Sequence, residues 1–376
     1  MNMRVLRNIL NLGIKELRSL LQDPIMVVLI VWAFTVSIYT AATAIPETLH
    51  KAPIAIVDED RSPLSMRIAD AFYPPYFLSP IQITPAEMDA RMDAGLDTFA
   101  LHIPAGFQRD VFAGRMPALQ LNVDATRMSQ AFTGSSYIQA IVGSEVGEFV
   151  QRHRAESVVP VKLQLRARFN PELNQSWFGA VMELVDRITL LSIILTGAAL
   201  IREREHGTIE HLLVMPVTPF EIMSAKVWSM ALVVLVLSAF ALGVIVQGAL
   251  AIPIEGSRVL FLLGVTLHLF ATTSMGIFLG TAARTMPQFG LLMMMTLVPL
   301  QILSGGVTPW ESMPEGVRFF MQAAPTTHFV ALSQAILYRG AGFEIVWPQF
   351  LSLAVIGAVL FAFSLARFRK TLASMA

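Results

Sequence analysis

Five long stretches without Lys, Arg, Asp or Glu constrain this chain more than any other feature. They cover residues 24–45, 227–254, 259–283, 285–310 and 345–366, and each is 22 to 28 residues long. A helix needs about 20 apolar residues to cross the roughly 30 Å hydrocarbon core of a bilayer. Only 14% of the 376 residues are charged, against about a quarter in soluble proteins. The sequence therefore predicts an α-helical polytopic membrane protein.

A sixth transmembrane helix is predicted over residues 177–201. These 25 residues would form about 37 Å of helix at 1.5 Å per residue. Glu183, Asp186 and Arg187 occupy the first half, and Glu183 and Arg187 are spaced to pair on one face. The three charges either line an outer vestibule of a translocation path or lie at the level of the outer headgroups. The second interpretation is the simpler one.

The distribution of basic residues orients the predicted spans. Six spans place both termini on one side of the membrane. The short segments on that side carry eleven basic residues, Arg4, Arg7, Lys15, Arg18, Arg202, Arg204, Lys226, Arg284, Arg367, Arg369 and Lys370. The short loops opposite carry three, Arg258, Arg318 and Arg339. Because cytoplasmic loops are enriched in Lys and Arg, we expect cytoplasmic termini and an extracytoplasmic domain at 46–176.

Residues 306–340 complicate this count. Within them, 319–338 form another stretch without Lys, Arg, Asp or Glu, but Pro325 and several polar residues interrupt it. A seventh span would also move the basic C-terminal residues to the outside. We therefore expect 306–340 to be a re-entrant hairpin before the last span, which requires cover by protein or by a water-filled cavity.

The N-terminal 23 residues are predicted to form a cytoplasmic amphipathic helix. One face carries a polar stripe of Arg4, Arg7, Asn11, Lys15 and Arg18. The other face carries Val5, Leu6, Ile9, Leu10, Ile14, Leu17 and Leu21. Basic amphipathic helices of this kind lie in the membrane interface. Asp23 and Pro24 then match an N-cap followed by proline at the first helical position, opening the first span over 24–45.

The polar region 46–176 holds 12 Lys/Arg and 15 Asp/Glu, half of all the charges in the chain. Its patterns predict strands at 53–57, 98–103, 119–123 and 161–169. They predict helices at 63–72, 85–95 and 128–152, the second of which opens with a capping box at Thr84 and Glu87. We expect an α/β domain with a mixed sheet.

Motifs for catalysis or nucleotide binding are missing from the sequence. It contains no G-x-x-x-x-G-K-[ST], no G-x-S-x-G and no H-E-x-x-H. Without cysteine, disulfides, thiol catalysis and Cys-ligated metals are excluded. We expect no metal site, since Asp58, Glu59 and Asp60 resemble a turn with solvated carboxylates more than a cation site. His206 and His211 match no standard metal spacing. The net charge of zero gives no reason to expect a nucleic-acid partner.

His268 is a polar residue in a predicted span that also contains Thr272, Thr273 and Ser274. Polar side chains inside spans face the helix bundle or a cavity. His268 therefore either lines a polar path or hydrogen-bonds to a neighbouring helix, and the sequence does not separate these alternatives. The same group is the only loose candidate for an intramembrane enzyme acting on lipid or peptide. A membrane scaffold that presents its outer domain would need fewer spans.

A cluster of charges at 202–206 begins the predicted cytoplasmic loop 202–224. A short apolar stripe of Ile209, Leu212 and Leu213 follows it and stops at Pro216, before a capping box at 218–221 opens the third span. The loop thus presents a helix of about two turns with one apolar edge. The helix rests on the lipid surface or docks on another protein. Docking is the better fit. On the lipid surface, the glutamates of the helix would be repelled by an anionic inner leaflet.

Two segments carry a family resemblance. Arg202-Glu203-Arg204-Glu205-x-Gly207-Thr208-x-Glu210-x-Leu212-Leu213-x-x-Pro216 resembles the coupling segment of type-2 ABC export permeases. Leu303-Ser304-Gly305-Gly306, followed by Pro309 and by Pro325-Thr326-Thr327-His328, is similar to the segment between the fifth and sixth spans of that family. The order of the parts agrees along essentially the whole chain.

The resemblance implies a permease subunit in the bacterial inner membrane that moves substrate outwards. The coupling helix, about 203–215, would dock in a separate ABC ATPase subunit, which would use the ATP, so this chain would bind no cofactor itself. The coupling residues would be Glu203, Glu205, Gly207, Thr208, Glu210, Leu212, Leu213 and Pro216. Candidates for the outer gate are Gly305, Gly306, Pro325 and His328. The permease would pair with a second copy or a paralogue, and a periplasmic adaptor could meet the outer domain.

Overall fold

The computed structural model describes residues 3–43, 51–124, 128–153, 175–205, 216–308 and 310–373. The chain divides into two compact units. The first, Met1–Ala44 with Ala167–Ala376, is helical, and the second, Ile45–Arg166, contains a sheet and helices. The predicted strand at 161–169 lies outside the described residues.

The elements follow the chain in this order: α1 (Met3–Leu21), α2 (Pro24–Phe34), α3 (Val36–Thr43), β1 (Ile54–Asp58), α4 (Pro63–Asp70), β2 (Ile81–Gln82), α5 (Pro85–Asp93), β3 (Phe99–Ile103), α6 (Phe107–Phe112), β4 (Gln120–Val123), α7 (Met128–His153), α8 (Gln175–Glu205), α9 (Pro219–Phe240), a π-helical segment (Ala241–Ala249), α10 (Arg258–Ala282), α11 (Met286–Ile302), a 3-10 turn (Trp310–Ser312), α12 (Glu315–Met321), α13 (Pro325–Leu337) and α14 (Phe343–Ala373).

Within the described residues, five helical stretches are long and apolar enough to cross a membrane. They are Pro24–Thr43, Trp177–Glu205, Pro219–Ala249, Arg258–Ala282 and Phe343–Thr371. The predicted stretch 285–310 behaves differently, since its helix α11 has 17 residues and ends at Ile302. Gly305 then adopts a φ of +94°, a conformation that glycine reaches without strain. The chain is thus a mostly helical polytopic membrane protein, with α11 at the lower limit of spanning length.

The first and third spans contain irregularities that the apolar stretches did not indicate. The first is interrupted at Thr35, whose hydroxyl donates to the Val31 carbonyl at 2.5 Å. The third ends in the nine-residue π-helical segment. Neither feature changes the apolar composition, so hydropathy alone cannot detect it.

Helix α1 packs on the bundle by one narrow face. Ile9, Gly13, Glu16 and Leu20 are buried, whereas Leu6, Leu10 and Ile14 remain more than 40% exposed. The Trp228 ring of α9 lies so close that a Cβ on Gly13 would approach it to 2.1 Å. Trp228 Nε1 also donates to the Ile9 carbonyl at 3.1 Å. The exposed apolar side chains are consistent with the predicted place of α1 in the membrane interface.

Helices α8 and α10 form the close crossing at the centre of the bundle. Gly276 and Gly280 of α10 lie four residues apart and face α8, as small residues at membrane helix interfaces commonly do. A Cβ on Gly276 would lie 2.7 Å from the Ile193 carbonyl oxygen. A Cβ on Gly280 would lie 3.3 Å from the Gly197 carbonyl oxygen. This crossing depends on backbone surfaces that carry no side chain.

The second unit is built on a four-stranded mixed sheet in the order β2-β1-β3-β4. Strand β1 pairs in parallel with β2 and β3, and β3 pairs antiparallel with β4. The central strands are almost wholly buried, as their apolar sequences require. The predicted strands at 53–57, 98–103 and 119–123 and the predicted helices therefore agree with the structure to within a few residues. Strand β2 and helix α6 were not predicted.

Asp58, at the end of β1, and Asp60 accept hydrogen bonds that hold the adjoining turn and helices in place. Asp58 accepts hydrogen bonds from the Arg61 amide at 2.9 Å and the Ser65 hydroxyl at 2.8 Å. Asp60 accepts from the amides of Gly106 at 2.8 Å and Gln108 at 3.0 Å, at the start of α6. The expected turn is present, but Asp58 and Asp60 are partly buried and hydrogen-bonded within the protein rather than solvated.

Asp60 provides a pH-dependent prediction. Burial raises the pKa of this carboxyl, but hydrogen bonds from Ser62, Gln108 and Gly106 outweigh burial and lower it below its usual value. A lowered pKa in the folded state means that the stabilisation is complete above about pH 4 and is lost as the pH falls further. We expect Asp60→Asn to weaken the start of α6 by about 1 kcal/mol at pH 7. Amide hydrogen exchange of residues 106–112 in the full-length protein measures this.

The difference in exchange protection between wild type and Asp60→Asn should shrink as the pH is lowered from 6 to 3. Glu315→Gln, a carboxylate exchange at an exposed position in the other unit, is the control and should leave residues 106–112 unchanged. A difference that does not depend on pH would contradict the assigned role of the Asp60 charge.

Candidate functional site

The predicted coupling residues divide between the described chain and a segment outside it. Glu203 and Glu205 lie at the end of α8, and Pro216 lies just before α9. The residues between them that fall outside the described part are Gly207, Thr208, Glu210, Leu212 and Leu213, together with His206 and His211. The short helix expected at 203–215 therefore stays a prediction, and only its flanks can be analysed.

Four charged side chains meet at these flanks. We call them the inner ion-pair cluster (Lys15, Glu16, Glu203 and Lys226), after the cytoplasmic side on which the sequence predicts them. Lys226 Nζ lies 2.8 Å from Glu203 Oε2 and 3.0 Å from Glu16 Oε1. Lys15 Nζ lies 2.9 Å from Glu203 Oε1. The Lys226 side chain is 2% exposed. The cluster joins α1, the end of α8 and the start of α9.

The charges of the cluster are mutually dependent. A buried ion is costly unless partners replace its water, and Lys226 has two carboxylates for that purpose. Burial disfavours the charged form of Lys15, but Glu203 and Glu16 outweigh this and raise the pKa of Lys15. Two basic and two acidic groups balance, so removing one of them would leave an uncompensated charge in a partly buried site.

Further polar contacts fix the neighbouring helix ends. Arg202 Nη1 donates to Asp23 Oδ2 at 2.7 Å, and Asn8 Nδ2 donates to Glu221 Oε1 at 3.0 Å. Asp23 also caps α2 by accepting from the Met26 amide at 3.1 Å, as the sequence predicted. The capping box of Thr218 and Glu221 at the start of α9 is likewise confirmed.

The α10–α11 connection is held by the same end of α8. Arg204 Nη1 donates to the Ala283 carbonyl at 2.5 Å. Glu205 Oε1 accepts from the Met286 amide at 2.9 Å, at the start of α11. The end of α8 thus contacts five other helices or their caps, those of α1, α2, α9, α10 and α11. A cavity of about 470 Å³ opens beside it, lined by Lys15, Glu16, Ser19, Asp23, Ala199, Arg202 and Glu203.

The charged residues predicted near the other end of α8 form a local pair. Arg187 Nε donates to Glu183 Oε1 at 2.5 Å, which confirms the predicted pairing of these residues on one helix face. Ser37 of α3 donates to the same carboxylate at 2.8 Å and so ties the first span to the second. Asp186 is partly buried beside this pair. Glu183 therefore connects two helices, and an outer vestibule at this point stays a prediction.

His268 lies in the interior of the bundle and is fully buried. Its Nε2 lies 2.8 Å from the Thr189 hydroxyl of α8, and its ring stacks on Phe329 at 4.0 Å between centroids. Of the two alternatives, the structure shows the hydrogen bond to a neighbouring helix. Ser274 donates instead to the Phe270 carbonyl at 2.7 Å, so His268 and Ser274 do not form a nucleophile–base pair in this structure.

The predicted gate residues lie around a cavity of about 410 Å³, which we call the outer cavity after the side of the membrane on which the sequence predicts it. Gly305 and His328 line it, while Pro325 is buried at the first position of α13 and Gly306 packs near Met182. His328 Nε2 lies 2.8 Å from the Gln322 carbonyl oxygen, which closes the turn between α12 and α13. The structure thus places Gly305 and His328 at one cavity and leaves Gly306 and Pro325 beside it.

Glu16 was missed as a functional candidate, and Lys226 was not predicted to pair with it. The available signal was a charged residue on the apolar side of α1, where Glu16 interrupts the stripe. Among the described residues, no group of three or more His, Asp or Glu is placed to hold a metal ion.

Comparison with known proteins assigns the chain to a family. Residues 24–366 match the family described as ABC-2 family transporter protein. The chain is 64% identical over 374 residues to the inner membrane transport permease YhhJ of Escherichia coli strain K12, with complete coverage of both chains. It is 28% identical over 359 residues to the probable multidrug ABC transporter permease YbhR of the same strain, covering 95% of this chain and 96% of the relative. It is 26% identical over 355 residues to the similarly described YbhS, with 89% coverage of each. These names describe transport permeases rather than enzymes, and the chain therefore belongs to the ABC-2 family of transporter proteins as a multi-pass transport permease of the inner membrane.

Proposed function

We propose that this chain is the permease subunit of an ATP-driven exporter and that it docks a separate ABC ATPase through residues 203–215. The observation that carries the proposal is the inner ion-pair cluster. Glu203 is the first residue of the proposed coupling segment, Lys226 lies in α9 beyond its other end, and their side chains meet at 2.8 Å. The two ends of the loop are therefore joined to each other and, through Glu16, to α1.

This arrangement gives a docked ATPase a firm connection to the bundle. A load on the loop would reach α1, α8 and α9 together, because the ion pairs and the Trp228–Ile9 hydrogen bond link all three. The same end of α8 is bonded to the α10–α11 connection through Arg204 and Glu205. Closure of an ATPase dimer at this point would thus tilt several spans as a unit, which is what coupled transport requires.

The proposed membrane topology has six spans, with α11 as the fifth. Its 17 residues give about 26 Å of helix, and a helix this short can cross if the bilayer thins locally. Helices α12 and α13 have 7 and 13 residues, so each is too short to cross, in keeping with a re-entrant hairpin at 306–340. The eleven basic residues then lie in the cytoplasm, and the second unit lies in the periplasm.

The assembly that we propose contains two permease chains, either two copies or a copy with a paralogue, and an ABC ATPase that binds and uses the ATP. Substrate would pass between the two chains and leave near the outer cavity. The periplasmic unit would guide substrate or contact an adaptor protein. The names of YbhR and YbhS describe multidrug permeases, and small amphiphilic compounds are therefore the substrate class that we would examine first.

The coupling proposal is tested by reversing the charge of Glu210. An arginine there should abolish co-purification with the ATPase subunit and ATP-dependent export, while membrane insertion and the melting temperature stay unchanged. The matched control is Glu255→Arg, an exposed glutamate in the connection between the third and fourth spans, on the opposite side in the proposed topology. A Glu210→Arg protein that retains its ATPase and exports at the wild-type rate would refute the proposed docking segment.

A further inference from the structure

The outer cavity differs in chemistry from the cavity at the inner ion-pair cluster. It lies between the turn after α11, helix α13 and the first part of α14. Its polar side chains are those of Ser304, Gln322, Thr327, His328, Gln334 and Gln349, and Trp310 supplies an aromatic wall. None of the described residues that line it is Asp, Glu, Lys or Arg. The inner cavity, in contrast, is lined by five charged side chains.

Two polar atoms at the outer cavity have unused hydrogen-bonding capacity. Thr327 is 9% exposed. Its Oγ1 atom and the Oε1 atom of Gln349 are both buried without a hydrogen-bond partner among the described residues. Buried polar atoms are nearly always paired in folded proteins, because an unpaired one has lost its water without compensation. Their position at a cavity indicates that a bound molecule supplies the missing partners.

We propose that the outer cavity binds neutral amphiphilic small molecules that carry a hydrogen-bond donor on a flat apolar body. The donor would reach Gln349 Oε1 or Thr327 Oγ1, and the body would pack against Trp310. A permanent cation or anion would lose its water without gaining a counter-charge from the lining. This inference rests on the proposed function, since it names the class of substrate that would bind in this cavity while it is being exported.

The geometry also accounts for selectivity. A site that holds an unpaired acceptor favours a ligand with a donor over an otherwise similar ligand without one, because the second leaves the acceptor desolvated and unpaired. The volume of about 410 Å³ lies within the range of small-molecule sites. A naphthalene-sized body leaves room in it for one polar substituent.

The test uses three related probes with the full-length protein in lipid nanodiscs, with the signal of empty nanodiscs subtracted. The probes are 2-naphthol, which has a donor, 2-methoxynaphthalene, which has none, and the cation 2-naphthyltrimethylammonium. We expect 2-naphthol to bind about tenfold more tightly than 2-methoxynaphthalene, which corresponds to one hydrogen bond to a buried group. The cation should bind more weakly than both. Equal affinities for 2-naphthol and 2-methoxynaphthalene would overturn the proposal.

Two substitutions locate the binding site. Thr327→Val and Gln349→Leu each remove an unpartnered atom at nearly constant volume. The single hydroxyl of 2-naphthol donates to one of these two atoms, so the substitution that removes that acceptor should weaken 2-naphthol binding by about tenfold. Neither should lower the melting temperature, because an unpaired buried polar atom does not stabilise the fold. Gln247→Leu is the matched control, since Gln247 Oε1 is also buried without a described partner but does not line this cavity. Its affinity for 2-naphthol should equal that of wild type.

Wild-type affinity for 2-naphthol in both Thr327→Val and Gln349→Leu would refute the outer cavity as the site. That result would leave the proposed ATPase docking intact. Failure of Glu210→Arg to release the ATPase would refute the docking segment without changing probe binding to the purified permease. The two proposals can therefore fail independently.

Discussion

Replacing Lys226 with alanine should destabilise the protein by about 3–5 kcal/mol, the range observed when one partner of a buried ion pair is removed. The substitution leaves Glu16 and Glu203 without their shared cation, and only Lys15, about half exposed, remains to balance them. We expect α1 to separate from the bundle first, because the Lys226–Glu16 contact is its main ionic attachment to α9. The free energy of unfolding in detergent and amide hydrogen exchange across residues 3–21 measure the two effects.

Two control variants distinguish the ion pairs from general loss of packing. Arg258→Ala removes an exposed basic residue at the start of α10 and should change the unfolding free energy by less than about 0.5 kcal/mol. The double variant Lys226→Met with Glu203→Gln removes one charge of each sign and should recover most of the lost stability. If the double variant is as unstable as Lys226→Ala, charge balance is not what holds the cluster together.

The inner ion-pair cluster shows where inference from sequence stops. Residues 202–205 were identified as an important charged segment, because charges at the end of an apolar stretch are visible in the sequence. Glu16 and Lys226 are 210 positions apart, and which of the helix ends lie together is decided by packing that no local pattern records. The sequence indicated Lys226 as cytoplasmic but not as the partner of Glu16 and Glu203.

His268 shows the same limit in the interior of the helical bundle. Its polarity predicted a position facing the bundle or a cavity, and both alternatives satisfied that rule. The choice between them depended on Thr189, which lies on another helix 79 positions away. In the second unit the local signals sufficed for most elements, because proline, capping residues and alternating strands mark their own ends. The two-residue strand β2 and the short helix α6 lack such signals and were missed.

The spans themselves were predictable because the physical requirement is local. A chain that crosses hydrocarbon must pair its backbone groups within one helix and carry apolar side chains over the necessary length. Charges then mark the limits of each span. The stretch 285–310 shows the exception, since α11 ends at Ile302 although the next charged residue is Glu311. Gly305 adopts a positive φ just beyond the helix end, a backbone feature to which hydropathy is insensitive.

Substituting leucine for Gly276 should have the other large effect, because this residue lies where α8 and α10 approach most closely. Its Cβ alone would come within 2.7 Å of the Ile193 carbonyl oxygen, which belongs to the backbone of α8 and cannot rotate away. Excess volume in a packed core costs about 1–3 kcal/mol and sometimes more. We expect the upper end of this range or beyond, since two helices must separate and the Ser192–Thr272 hydrogen bond at 2.6 Å would be stretched.

Gly290→Leu provides the matched comparison, since Gly290 lies in α11 and a Cβ there would meet no atom within 4 Å. The same change of volume at this position should be neutral or slightly stabilising, because leucine favours the helix over glycine. Unfolding free energies of the two variants in one detergent separate the close approach of the helices from the general cost of adding leucine. Equal values for Gly276→Leu and Gly290→Leu would mean that α8 and α10 can move apart at little cost. A bundle that yields so easily would not transmit a load from residues 203–215 to the outer cavity.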